Sequence, residues 1–107
     1  MKVSELQEHG FTALTLPEGE REISGAYMGD LLSWVMGRAR ADQAWITIMS
    51  NQNVAAVAVL ADVSCVILSE GVTLPEELKS LMETKGINVL TTELPSFEAA
   101  VKLSELI

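Results

Sequence analysis

From residue 44 onward the chain repeats one unit. Short apolar runs at residues 44–49, 65–68 and 87–90 start about 21 residues apart, and each is followed by a segment carrying helix signals. Two parallel strands need a crossover of a dozen or more residues, usually helical, and this spacing provides one. Repeated βα units predict right-handed crossovers. The expected fold class is α/β, a mainly parallel sheet with helices on both faces.

The crossovers carry their own start and stop signals. Asn53 is placed to cap the first helix, Thr73 with Glu76 forms a capping box around Pro75 in the second, and Pro95 with Ser96 opens the last. Gly86 ends the second helix. The last helix, about residues 97–106, sets Phe97, Ala100, Val101, Leu103 and Leu106 in a broad apolar stripe.

Upstream the signals are weaker. Ser4 with Gln7 has the form of a capping box for a short helix over residues 5–8, stopped by Gly10. Residues 11–16 alternate as a strand does, residues 17–22 form a charged turn, and residues 23–28 have weak strand character. Gly29 and Asp30 then open a helix whose Leu31, Leu32, Val35, Met36 and Ala39 fall at helical spacing on one face.

A hydrophobic share of 49% with only 5% aromatics makes the core one of Val, Leu, Ile, Ala and Met, which suits a sheet buried between helices. Length fits one domain over residues 1–107, large enough to bury a core without disulfides. Fifteen acidic against seven basic residues give a net charge of −8, so neither nucleic acid nor an anionic membrane is an expected partner. The longest apolar run, residues 54–61, is under half of the roughly 20 residues needed to span a bilayer. Residues 1–10 are polar and lack an export segment. Cys65, the only cysteine, sits in an apolar run as a small buried hydrophobe would, so a reducing, cytoplasmic setting is expected.

Catalytic motifs are missing. There is no GxxxxGK[ST] run and no GxGxxG after a strand. His9, the only histidine, falls at a helix end with no second histidine or cysteine to complete a metal site, so neither metal nor cofactor is expected. The carboxylates lie mainly in first turns and loops, as solvated charges do, and no serine has a histidine beside it to act as base.

Two features rise above that background. In a parallel sheet the carboxyl ends of the strands share one edge, where ligands bind. The segments there are small and polar, and Ser50, Asn51, Asn53, Gly71 and Thr92 are the candidate ligand residues. Backbone amides near Asn53 are the expected anion donors, with caps and turns as the plainer account. The second feature is the run 54–61, which is apolar around its whole circumference. It predicts either a homodimer contact or a crossover helix buried within its own fold. Met28, Met36 and Met49 fit core filler or a binding surface equally.

The stretch Glu20, Arg21, Glu22, Ile23, Ser24, Gly25, Ala26, Tyr27, followed by Gly29, Asp30, Leu31, Leu32 and Ser33, resembles the signature of the DRTGG domain family. Residues 44–60, with Trp45, Ile46, Thr47, Ile48 and Asn53, resemble its second block. The chain departs from the namesake motif with Glu20 for Asp, Ser24 for Thr and Ala26 for the second Gly.

The resemblance implies a domain attached to other proteins: beside nucleotide-sensing CBS domains in regulated pyrophosphatases, in phosphate acetyltransferases, and as a relative of the N-terminal domain of HPr kinase/phosphorylase. It implies an α/β sandwich that dimerises and takes an adenine nucleotide as its first candidate ligand. Arg21, Ser24 and Gly25 match the motif; Arg21 would pair with a carboxylate and Gly25 would allow a tight backbone path. The kinase chemistry of the HPr relative belongs to a separate P-loop domain.

The expected function is therefore a non-catalytic regulatory and dimerisation module serving a partner enzyme or signalling protein. A nucleotide or small-molecule binding protein is the alternative. A minimal kinase or phosphotransferase is a third reading, opposed by the missing phosphate loop.

Overall fold

The computed structural model describes residues 1–107. A 3-10 helix (Val3–His9) leads into β1 (Thr12–Thr15), β2 (Gly25–Met28), α1 (Leu32–Arg38), β3 (Gln43–Thr47), α2 (Asn53–Ala61), β4 (Cys65–Leu68), α3 (Glu76–Thr84), β5 (Val89–Thr91) and α4 (Ser96–Leu106). The five strands form one sheet in the order β1-β5-β4-β3-β2. β2 to β5 are parallel, and β1 closes one edge antiparallel to β5. This is the α/β class the repeat predicts.

Helices lie on both faces, but unequally. Because β2 to β5 step across the sheet in one direction, α1, α2 and α3 fall on one face, where Val35, Trp45, Val57, Val66, Met82 and Val89 share a core. The ends of the chain cover the opposite face. There Val3 and Leu6 of the 3-10 helix and Leu103 of α4 close over Ala44, Ile46, Cys65, Ile67 and Leu90. Successive strand residues alternate between the two cores, as a pleated strand requires.

Several local signals act differently in the fold. The 3-10 helix begins at Val3 rather than near Glu5, and Glu5 Oε1 accepts the Lys2 backbone N–H at 2.8 Å. Ser4 caps nothing; its carbonyl accepts from Gln7 Nε2 at 3.2 Å. Gly10 does end the helix in a left-handed conformation (φ 88°), the usual glycine stop. Gly29 extends the pairing of β2, its N–H donating to the Ile46 carbonyl, so α1 starts only at Leu32.

α1 buries only Val35 fully, with Leu32 and Ala39 partly covered, while Leu31 and Met36 are exposed. Met28 is exposed too, and Met49 alone of the three methionines packs against the core. α3 has no side-chain cap: Pro75 precedes it and Thr73 is exposed. Gly86, at φ 74°, follows its end. In α4 the inward face is Ala99 and Leu103, with Ala100 and Leu106 partly covered, so Phe97 and Val101 lie outside the expected stripe. No helix is long and apolar enough to cross a membrane.

Candidate functional site: the carboxyl edge of the parallel strands

Each parallel strand ends in a short loop at one edge of the sheet. After β2, Asp30 Oδ1 accepts the Thr47 hydroxyl at 2.7 Å and the Ile48 N–H at 3.0 Å, tying the ends of two strands together. After β3, Asn51 rather than Asn53 is the cap: Asn51 Oδ1 accepts the Asn53 N–H at 2.9 Å, and its carbonyl accepts from Val54. An amide expected to be free for an anion thus has a partner within the chain. Ser50 is half-buried, and Asn51 and Asn53 are exposed.

After β4 and β5 the loops interlock. The Gly71 N–H donates to the Thr92 carbonyl at 2.9 Å, bringing these two candidates together. Thr92 is buried, and its hydroxyl accepts the Leu94 N–H. Ser69 and Ser96 share a hydroxyl hydrogen bond at 2.6 Å, and Glu70 Oε2 accepts the Ser96 N–H at 2.9 Å at the start of α4. Gly71 sits at φ 73°, a left-handed conformation that favours glycine, whereas an added Cβ would displace only the flexible carboxylate end of the exposed Glu93.

The candidates therefore form two groups, Ser50, Asn51 and Asn53 after β3 and Gly71 with Thr92 on the next two loops. Among them stand three carboxylates, Asp30, Glu70 and Glu93, none of which the sequence singled out as a ligand residue. Glu70 carried one readable signal, its place directly after a strand.

The motif residues lie elsewhere, around the amino ends of the strands. Arg21 Nη2 reaches Asp42 Oδ1 at 2.7 Å and the Asp62 carbonyl at 3.0 Å, and Nη1 lies 3.2 Å from Asp62 Oδ1. Asp42 and Asp62 both adopt left-handed backbone (φ 68° and 57°) at tight bends leading toward β3 and β4. Partial burial works against the guanidinium's charge, but the two aspartates outweigh it and raise its pKa above the ordinary value. Ser24 donates its N–H to the Asp42 carbonyl. Gly25 opens β2 opposite Gln43 at φ 159°, a positive value that side chains rarely adopt, although an added Cβ would meet only ordinary contacts there.

Cys65, at the start of β4, is fully buried, and that burial pushes its thiol up to about 12. No three His, Cys, Asp or Glu side chains come together as a metal site.

α2 resolves the question its composition raised in two halves. Val54, Ala55, Val57, Ala58 and Ala61 are buried in the domain's own core, while Ala56, Val59 and Leu60 remain exposed. The exposed half floors a groove of about 440 Å³ against Leu81 of α3, with Gln52 and Asn53 also lining it and Lys85 just past the α3 end. Of the sequence candidates, only Asn53 touches this groove.

A family model, the DRTGG domain, matches residues 28–106. The chain belongs to the DRTGG domain family. The match begins after Arg21, Ser24 and Gly25, so residues 20–27 of the stretch first quoted for the resemblance lie outside the matched segment and Gly29 to Ser33 lie within it. Among solved structures, this DRTGG domain is similar to the CBS and DRTGG domains of the regulatory region of Clostridium perfringens pyrophosphatase, complexed with an activator, diadenosine tetraphosphate. The TM-score is 0.68 at 21% identity, covering 94% of this chain and 44% of that one. The chain thus spans less than half of that protein's length, and the likeness establishes the fold. No curated protein matches the sequence.

Proposed function

We propose that this DRTGG domain is a non-catalytic regulatory module, active as a homodimer in the cytoplasm, that senses a small ligand on behalf of a partner enzyme or signalling protein. The observation that carries the dimer is α2. Its sequence, NVAAVAVLA, has no charged side chain, yet Ala56, Val59 and Leu60 face outward beside an open groove. A free helix face of that composition gains by being covered, and a second copy offers the same surface in return. Light scattering is expected to give twice the 11.6 kDa chain mass. At micromolar concentration Leu60→Glu should return it to the monomer value, and a wild-type monomer there would remove the reading.

The ligand half of the proposal places an adenine nucleotide at the carboxyl edge, on Ser50, Asn51 and Asn53 with Gly71 or Thr92. Its support is twofold: ligands of parallel α/β sheets bind at that edge, and the similar pyrophosphatase region was solved with diadenosine tetraphosphate. Titrating ATP or ADP while following amide resonances tests it. Shifts at those five residues are expected, and shifts confined to Gly10 and Gly86 would misplace the site.

A further inference from the structure

Exposed large apolar side chains gather on two surfaces away from the α2 groove, and their charges are opposite. The first is α1 with the residue before it. Leu31, Trp34 and Arg38 follow one another at helical i, i+3, i+7 spacing, with Leu31 58% and Trp34 53% exposed. The Arg38 guanidinium carbon lies 3.8 Å from the Trp34 ring centroid, so aromatic and cation form one unit.

Residues 31–41 contain Arg38 and Arg40 and no acidic residue, in a chain with a net charge of −8. Neither arginine is in an ion pair, whereas Arg21, the third, holds two. α1 is thus a basic, aromatic island on an acidic molecule.

The second surface is the outer side of α4. Phe97 (73% exposed) and Val101 (42%) line a groove of about 590 Å³ with Leu94, Glu98 and Glu105. Lys102, its one cation, lies against the 3-10 helix end, its Nζ 3.1 Å from where a Cβ on Gly10 would stand. The groove thus joins three apolar side chains to two carboxylates and Lys102, a net negative lining that complements the Leu31–Trp34–Arg38 stripe.

We propose that the α1 face of one copy docks into the α4 groove of another, with the Trp34 indole against Phe97 and Val101 and Arg38 and Arg40 facing Glu98 and Glu105. Tryptophan and arginine are the residues that most often dominate protein interfaces, and here they sit side by side. The two surfaces differ, so the contact is head-to-tail and adds copies in series unless a ring closes. It shares no residue with the α2 groove, so Leu60→Glu is expected to remove a dimer formed there and leave this contact in place.

The test uses the full chain carrying Leu60→Glu, so that only the head-to-tail contact is read by sedimentation velocity. Weight-average mass, monomeric at micromolar concentration, is expected to rise as the chain is concentrated into the roughly millimolar range of a weak contact. Trp34→Ala with Arg38→Glu (α1 disabled) and Phe97→Ala with Glu98→Lys (α4 disabled) should each weaken association by about tenfold or more. A mixture of the two should form a 1:1 complex, because each retains the surface the other lacks.

Circular dichroism of each variant excludes misfolding, and since all four side chains are exposed, native spectra are expected. If the mass does not rise with concentration, if either disabled variant still self-associates, or if the folded pair fails to combine, the proposal is overturned.

Discussion

The two edges of the parallel sheet close their loops with different chemistry. At the amino edge the central group is Asn88, 1% exposed. Its Nδ2 donates to the carbonyls of Glu18 and Ser64 at 2.8 and 2.9 Å, and its Oδ1 accepts the Glu18 N–H at 2.8 Å. Nearby, the buried Thr15 hydroxyl donates to Ile87 and accepts from Val89. At the carboxyl edge the buried hydroxyls of Thr47, Ser69 and Thr92 work beside acceptors on exposed side chains, Asp30, Asn51 and Glu70. A buried amide whose partners have no water to turn to is costly to remove, while an exposed acceptor exchanges with solvent at little cost. Loss of the buried Asn88 amide at the amino edge is therefore expected to cost more than loss of an exposed acceptor at the carboxyl edge.

The largest expected effect that sharpens this contrast is Asn88→Ala. It strands the Ser64 carbonyl and the Glu18 N–H, while the Glu18 carbonyl keeps its bond from the Arg21 N–H, and should cost about 2 kcal/mol in urea unfolding. A loss no larger than that at an exposed loop residue would erase the distinction between the edges.

Cys65, at the same amino edge, adds a pH signature. The folded thiol keeps its proton to about 12, against an ordinary value of 9.0. The unfolded chain releases the proton first, so stability is full below about pH 9 and falls as pH rises through that window. The expected loss is about 1.4 kcal/mol at pH 10. Cys65→Ala should remove this component, and urea midpoints at pH 7.5 and 10 for both proteins measure it. Equal pH dependence in the two would show that the thiol is not sequestered.

Arg21→Leu comes next, at about 1.5 kcal/mol, because a partly buried guanidinium holding two aspartates does more than a surface pair. The difference from wild type should narrow as NaCl is raised from 0.05 to about 1 M. A salt-independent loss would point to the packing of the side-chain stem instead.

These residues also mark how far the sequence could be read. The strands β3, β4 and β5, the crossover helices and the stops at Gly10 and Gly86 are local: apolar runs and terminating residues act within a few positions. Asn88 joins Glu18 and Ser64, 70 and 24 residues away, and Arg21 joins Asp42 and Asp62 across 21 and 41. No local spacing encodes those pairings.

α1 was misjudged for a related reason. Five apolar residues at helical spacing look like a buried face, but the helix lies at the β2 edge, where the domain has core enough to cover Val35 and parts of Leu32 and Ala39. At the carboxyl edge the loops themselves were legible from the βα repeat. Which amides they leave open was not, since Glu70 reaches Ser96 from 26 residues away.

At the carboxyl edge, Asn51→Ala tests the cap that replaced the one expected at Asn53. The loss should be about 1 kcal/mol, the usual value for a helix-capping side chain. Asn53→Ala should cost less, since its side chain makes no hydrogen bond and only its backbone N–H is held. Reversal of that order in thermal melts would return the capping role to Asn53.

The smallest stability effect and the sharpest test belong to Glu70→Gln. The amide oxygen can still accept the Ser96 N–H, and the group is exposed, so unfolding should shift by only a few tenths of a kcal/mol. Ligand binding responds differently. Glu70, with Asp30 and Glu93, sets a negative field at the carboxyl edge, and a nucleotide phosphate arriving there must work against it. Removing one of these charges should tighten ATP binding about threefold if the nucleotide sits among Ser50, Asn51, Gly71 and Thr92. A nucleotide in the α2–α3 groove instead would meet Lys85, so Lys85→Gln would weaken its binding and Glu70→Gln would leave it unchanged. Isothermal titration of both variants separates the two sites: tighter binding in Glu70→Gln with no response in Lys85→Gln places the ligand at the strand ends, and the opposite result moves it to the helix groove.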